Sequence, residues 1–218
     1  MRILFACAAS LALISCAGGS GQGQRLERVA NPSEVVATEL AFARAANEDG
    51  QWTAFRKYAT DGALIFGRSG AFEAKPWLAK QTDPQQSVTW EPTAVWSSCD
   101  GTLAVSAFSF ADPNDNTRGV GHTVWAREKN GEYRWLFDFG WPTDVAPAQS
   151  DMISAKVAEC GPVNDVVGDQ ADLRRSADGT LVWNFAFTGE GTRNFTVWTA
   201  GPGGSMTPVI EVSIPPSD

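Results

Sequence analysis

Apolar residues in the first part of the folded chain recur at helical spacing, and from about residue 86 onward they recur every second residue. The helical part opens at Asn31-Pro32-Ser33-Glu34, which combines an N-cap residue, a proline for the first helical position and a glutamate for the third. Val36, Leu40 and Ala43 follow at helical spacing beside Val35, Phe42 and Ala46. A helix is therefore predicted to about Asn47, and Glu48-Asp49-Gly50 ends it. A second short helix over residues 51–59 carries Trp52, Phe55 and Tyr58 at steps of three. Thr60-Asp61-Gly62 reads as a turn into a short apolar strand over 63–66, and residues 71–82, with Phe72, Trp77 and Leu78, read as a third helical segment.

Where the period becomes two, long strands are predicted at 88–96, 102–110, 118–128 and 132–141, with joining turns at Cys99-Asp100-Gly101 and Asn130-Gly131. Asn-Gly is a type I′ hairpin signal, and a two-residue turn centred there sets a register. His122 then faces Phe139, Val124 faces Phe137 and Ala126 faces Trp135 on one side of the sheet. On the other side Thr123 faces Asp138, Trp125 faces Leu136 and Arg127 faces Arg134. The first side is the more apolar and is expected to meet the helices. Residues 143–177, rich in Pro, Ala and Asp, read as a linker with a short ordered piece at 152–160. Three further strands follow at 180–188, 194–200 and 206–214, in which Leu181, Trp183, Phe185 and Phe187 alternate. A meander of about 35 residues is marginal alone, so it is expected to dock on the main body, with the Trp125/Leu136 stripe as a candidate surface.

The front end has a different pattern. After Met1-Arg2, residues 3–14 form an apolar run too short to span a membrane but suited to a signal peptide. Leu13-Ile14-Ser15-Cys16 resembles the lipobox of bacterial lipoproteins, which implies a signal peptide at 1–15 and a lipidated Cys16 as first mature residue. Several acyl chains, at about 0.8 kcal/mol per buried methylene, give stable anchoring. Ala17 stands where an inner-membrane retention signal would have Asp, so the periplasmic side of the outer membrane is favoured. Gly-rich residues 16–30 read as a tether with a root-mean-square span of roughly 20 Å. Cys7 lies in the signal, which leaves Cys99 and Cys160 for the folded body. An oxidising periplasm favours a structural disulfide between them over a catalytic pair, with two buried free thiols as the alternative. The bond would close a loop of about 62 residues, for which chain entropy gives about 4 kcal/mol.

Composition narrows the chemistry. With 43% hydrophobic residues the chain can build a core, which excludes wholesale disorder. A net charge of −8 argues against a nucleic-acid partner, because such proteins need a basic surface to displace counterions. One histidine in 218 residues rules out multi-His metal centres. There is no Gly-x-Ser-x-Gly elbow, phosphate loop, Gly-x-Gly-x-x-Gly, His-Glu-x-x-His or Cys-x-x-Cys, and no cofactor or metal is expected.

The element order, two helices, a strand, a third helix and a long antiparallel meander, resembles the nuclear transport factor 2-like superfamily, the cone-shaped fold of SnoaL-like and ketosteroid-isomerase-like proteins. Phe42-Ala43-Arg44-Ala45, Asp49-Gly50-Gln51-Trp52, Tyr58-Ala59-Thr60-Asp61-Gly62-Ala63 and Tyr133-Arg134-Trp135-Leu136-Phe137-Asp138 carry the resemblance. It covers residues 31–142 and implies an α+β fold, helices on a curved antiparallel sheet, to which 178–218 add a small three-stranded β meander. It also implies a pocket between helices and sheet, for which Phe42, Tyr58, Phe66, Trp77, His122 and Phe139 are the candidate lining. Relatives dimerise through the sheet, so a homodimer and a sheet covered by the meander both stay open. In ketosteroid isomerases an aspartate base and a tyrosine do the chemistry. A gapless overlay puts Phe66 and Phe42 at those positions, and neither moves a proton. His122 is the remaining candidate base, against a satisfied core histidine. Asp138 reads as the acceptor of a cross-strand hydrogen bond, Asp61 as a turn former, and residues 112–116 as a hairpin loop lacking the glycine and glutamate of a calcium loop. The reading this supports is a lipid-anchored protein that binds a small apolar ligand or a protein partner without catalysis. A SnoaL-like isomerase, cyclase or hydrolase using His122, or a structural envelope protein, are the rivals.

Overall fold

Pro32 begins helix α1 (Pro32–Asp49), where a residue without an N–H loses no hydrogen bond. The Asn31 side chain makes no cap; its amide donates to Glu34 Oε1 at 3.4 Å. The structure, a computed structural model, describes residues 30–144, 152–164, 167 and 173–216. The signal at 1–15, Cys7, Cys16 and the tether as far as residue 29 lie outside the described residues. The buried stripe of α1 is Val35, Glu39, Phe42, Ala43, Ala45 and Ala46, rotated from the expected Val36/Leu40 line. Leu40 is 43% exposed, because the inward position one residue earlier belongs to a carboxylate. Gly50, at φ 108°, turns the chain into α2 (Gln51–Tyr58). The α2 N-terminus is capped from a distance: Asp83 Oδ1 accepts the Trp52 and Thr53 amides at 2.6 and 3.0 Å.

Strand β1 (Ala59–Gly67) then forms a tight hairpin with β2 (Gly70–Glu73), pairing Ile65 with Phe72. The third helical segment is therefore shorter than the pattern predicts. Gly70 at φ 111° makes the turn, Phe72 lies in a strand, and only α3 (Ala74–Leu78) is helical. Asp61 lies within β1, exposed and ion-paired with Lys75, and not in a turn. The alternating segments form β3 (Thr89–Ser97), β4 (Leu103–Asp112), β5 (Thr117–Arg127) and β6 (Tyr133–Pro142). With β7 (Ser154–Val157), which runs parallel to β3 within the expected ordered piece, they make a seven-stranded sheet in the order β2-β1-β6-β5-β4-β3-β7. A separate antiparallel sheet holds β8 (Arg174–Arg175), β9 (Leu181–Phe187), β10 (Arg193–Ala200) and β11 (Met206–Ile214) in the order β11-β10-β9-β8. The fold is thus α+β, with one strand more in the second sheet than the alternation predicts.

The β5–β6 hairpin departs from the type I′ expectation. The Glu128 amide bonds Glu132 O and the Gly131 amide bonds Glu128 O, with Gly131 at φ 91°. This is a three-residue loop with a glycine bulge. The pairs His122–Phe139, Thr123–Asp138 and Val124–Phe137 form as predicted. A second irregularity after Val124 then pairs Trp125 with Trp135 and Arg127 with Tyr133, which moves Trp135 onto the Trp125 face.

The two faces of the large sheet are used the other way round from the expectation. Trp125, Trp135 and Ala104 pack with Phe42, Val35 and Leu78 on the helix side. Val105, Val124, Phe137, Phe139 and Phe66 pack with Leu181, Trp183, Phe195 and Val197 of the second sheet. The face of His122, Val124 and Phe137 meets the second sheet, and the Trp125 stripe is under the helices, not under the meander.

The expected disulfide is present: Cys99 and Cys160 are bonded, with Cα atoms 5.2 Å apart. Beside it the two sheets share a clasp. Ser98-Cys99-Asp100-Gly101-Thr102-Leu103 and Ser176-Ala177-Asp178-Gly179-Thr180-Leu181 differ only at their second position. Each turn has its glycine at positive φ, 68° for Gly101 and 74° for Gly179. Asp100 Oδ2 accepts the Asp178 amide at 2.9 Å, and Asp178 Oδ2 accepts the Asp100 amide at 2.8 Å. Cys99 N donates to Thr180 Oγ1, and Ala177 N to Thr102 Oγ1, so the contact is reciprocal throughout.

Candidate functional site

The helix-facing side of the large sheet holds two carboxylates at depth. Glu39 is fully buried in the α1 stripe. Its Oε1 accepts Trp90 Nε1 at 2.9 Å, and its Oε2 accepts Ser106 Oγ at 2.5 Å and Trp125 Nε1 at 3.0 Å. Trp125 Nε1 also donates to Ser106 Oγ at 3.0 Å. Burial pushes the Glu39 carboxyl above its ordinary range, and the hydrogen bonds from Ser106, Trp90 and Trp125 work the other way. No alternation signal marks this residue. A glutamate four positions after Val35 and three before Phe42 is its one trace in the sequence.

Asp138 comes from the facing strand β6. Its Oδ2 accepts Thr123 Oγ1 at 2.8 Å, as the cross-strand pairing predicted, and its other oxygen has no hydrogen bond among the described residues. Burial pushes its carboxyl up to about 7, the Thr123 bond pulls down, and the charge of Glu39 adds to the rise. Asp138 nevertheless keeps partial solvent contact, because it opens onto a cleft. That cleft, about 180 Å³, is lined by Phe42, Gln51, Phe55, Val88, Trp90, Phe108, Phe110, Asp138 and Gly140. Trp90 serves both features, with its ring on the cleft and its indole N–H on Glu39.

Glycines shape the cleft floor. A Cβ on Gly121 would stand 2.3 Å from the Phe108 ring, and one on Gly119 would stand 2.5 Å from the Phe110 ring. The two rings therefore lie across β5 where it carries no side chain. The signal was present in the sequence as Gly119-Val120-Gly121 inside a strand, opposite Gly140.

The six candidate lining residues divide between two places. Phe42 borders the cleft and packs against Tyr58 at 5.0 Å. Trp77 lies on the same side, edge-on to Trp52 at 5.0 Å. Phe66, Phe139 and His122 lie on the other face, between the sheets. Phe66 contacts Phe139 and Phe185, and His122 sits among Phe139, Trp141 and Phe195 at 5.7 to 5.9 Å. Burial pushes the His122 imidazole down to about 4, with a hydrogen bond to the Ser106 backbone working the other way. Among the described residues its Nδ1 is buried without a partner. This imidazole is neutral near pH 7 and remote from the cleft, so the geometry gives it the surroundings of a core residue.

A second, larger groove of about 490 Å³ runs between α1 and the β5–β6 hairpin, lined by residues such as Glu34, Lys57, Glu132 and Arg134. It lies on the surface with charges of both signs and reaches neither buried carboxylate, so size alone does not make it the better site. Among the described residues no cluster of three or more His, Cys, Asp or Glu side chains could hold a metal ion. The acidic loop at 112–116 is a hairpin loop: Asp112 Oδ1 accepts the Asn114 amide and Asp115 Oδ1 the Thr117 amide.

No protein-family model matches the chain, and no curated protein matches it. Among solved structures, a protein of unknown function with a cystatin-like fold from Methylobium petroleophilum PM1 aligns with 56% of this chain and 85% of its own. The two share 14% identity with a TM-score of 0.38.

Proposed function

We propose that this chain is a lipid-anchored protein of the periplasmic side of the envelope, and that its nuclear transport factor 2-like part binds a small, largely apolar ligand in the helix-side cleft. One observation carries the binding reading: five aromatic rings and a single carboxyl group converge on one cleft. Such sites pair apolar walls with a few polar groups that orient the ligand. The order α1, α2, β1, β2, α3 and then antiparallel β3 to β6 supports the family reading, and the Leu13-Ile14-Ser15-Cys16 motif supports the anchor. The polar contact is Asp138 and not His122.

The test is native mass spectrometry of the full chain as isolated, followed by titration with benzene-sized aromatic probes while the indole emission is recorded. A retained small molecule, or saturable quenching that Phe110→Ala weakens about tenfold, supports the reading. An empty protein that responds to no apolar probe overturns it. For the anchor, Cys16→Ala is expected to release the protein from membranes, and a variant that stays bound refutes lipidation.

A second reading rests on Asp138 alone. A carboxyl group raised to about 7 in an aromatic cleft matches the requirement for a general acid or base at neutral pH. Under this reading Asp138→Asn retains ligand and abolishes turnover.

A further inference from the structure

The lining of the cleft also constrains the charge of what enters. Asp138 is the one ionisable group there, Gln51 is the other polar side chain, and none of the lining residues is basic. Gln51 already uses its carbonyl oxygen to accept the Val88 amide at 2.9 Å. Behind the cleft wall stands a second carboxylate, Glu39, held by three donors that are all neutral. The other walls are chiefly aromatic, and aromatic faces attract cations. The whole chain carries −8, so its long-range field favours positive ligands as well.

Building on the ligand-binding reading of this cleft, we propose that its ligand is a small organic cation, a protonated amine on an apolar body, whose ammonium group meets the unbonded oxygen of Asp138. With a neutral ligand the charge of Glu39 favours a proton on Asp138, whereas an ammonium group beside Asp138 offsets that charge and favours the carboxylate. The volume agrees with a compact body. An apolar cavity of about 150 Å³ holds benzene, and the cleft is about 180 Å³, enough for one ring with a short amine arm.

Proton balance follows from the surroundings of Asp138. Thr123 on β5, Gln51 on α2 and Ile65 on β1, the register partner of Asp138, are neutral, and among the described residues Glu39 on α1 is the one charged group that shifts it. Near neutral pH part of the population carries a proton on Asp138. The bound ammonium favours the ionised carboxylate, so that proton leaves to solvent as the amine enters, and no bond in the ligand changes.

The experiment compares benzylammonium with benzyl alcohol, two probes of nearly equal shape, by calorimetry on the full chain as isolated. At about pH 8 benzylammonium is expected to bind at least about tenfold more tightly, and the preference is expected to fall below about threefold near pH 5.5. Repeating the titration near pH 7 in buffers of different ionisation enthalpy should show net release of a fraction of one proton. Asp138→Asn should remove the preference while benzyl alcohol still binds, and the wild-type pH series stands as a test even if that variant folds poorly. Equal binding of both probes, or a preference for the alcohol, overturns the cation assignment and leaves the cleft reading intact. If neither probe binds, the cleft reading itself fails, and the cation assignment with it.

Discussion

The two faces of the seven-stranded sheet are both aromatic, and both bury a titratable group from neighbouring strands, yet they treat those groups in opposite ways. On the helix face Asp138 has a hydroxyl donor, a second carboxylate behind it and an opening to solvent. On the face toward the second sheet His122 is packed among Phe139, Trp141 and Phe195, bonds the Ser106 backbone, and has an Nδ1 without a partner among the described residues. Both pKa values shift through burial, in the direction that removes charge. Burial therefore does not by itself distinguish a site from a core position. Access and hydrogen-bonding partners do.

The comparison can be broken most directly by truncating one side. Trp183→Ala removes a fully buried indole from between the sheets and is expected to destabilise the chain by about 5 kcal/mol in denaturant titration, while the cleft still binds its probe. Loss of probe binding at temperatures where this variant is folded would show that the faces are not independent.

A pH series sharpens the contrast. Folded Asp138 titrates near 7 against an ordinary value of 3.8, so between these limits the folded state holds more protons than the unfolded chain. Stability consequently falls as pH rises through that window, by up to about 4 kcal/mol, and Glu39 pushes in the same direction. Asp138→Asn should remove most of that slope in melts between about pH 4 and 7. His122 has the opposite sign. Its folded value near 4 lies below the ordinary 6.5, so the folded state holds fewer protons in that interval and stability is lost as pH falls through it. His122→Phe should abolish that acid-side loss, about 3 kcal/mol, and leave ligand binding unchanged. If His122→Phe impairs the cleft and Asp138→Asn does not, the assignment of roles is reversed. The smallest effect belongs outside both faces: Leu40→Ala, on the exposed side of α1, should change stability by less than about 0.5 kcal/mol. A larger loss there would restore the Leu40 stripe that the apolar spacing alone predicted.

Much of the architecture was legible because strands bury alternate residues. The four long strands and the three of the meander lie within a residue or two of where the alternation put them, and Cys99 and Cys160 are joined. What resisted reading has specific causes. The irregularity after Val124 inserts a residue that no period records, so it transferred Trp135 to the opposite face. Both faces of β5 and β6 are apolar, so hydrophobicity could not say which would meet the helices. Glu39 interrupts an apolar stripe and pushed the predicted face toward Leu40. The cleft needed all three of these to be right, which is why only Phe42 among the six candidates lines it. Asp138 was read correctly as a partner of Thr123, but its opening onto the cleft depends on which face the helices cover.

The clasp between the two Ser-x-Asp-Gly-Thr-Leu turns has a consequence for how the chain becomes one body. In each aspartate Oδ1 accepts the serine hydroxyl and the threonine amide of its own turn, while Oδ2 takes the amide of the other turn. One carboxylate thus serves both local shape and long-range attachment. The turn that is correctly formed is already the receptor for its counterpart, and each presents the other with the same geometry. Joining the sheets at this point requires no separate recognition code: a single six-residue grammar, written twice and 78 positions apart, specifies both the bend and its mate.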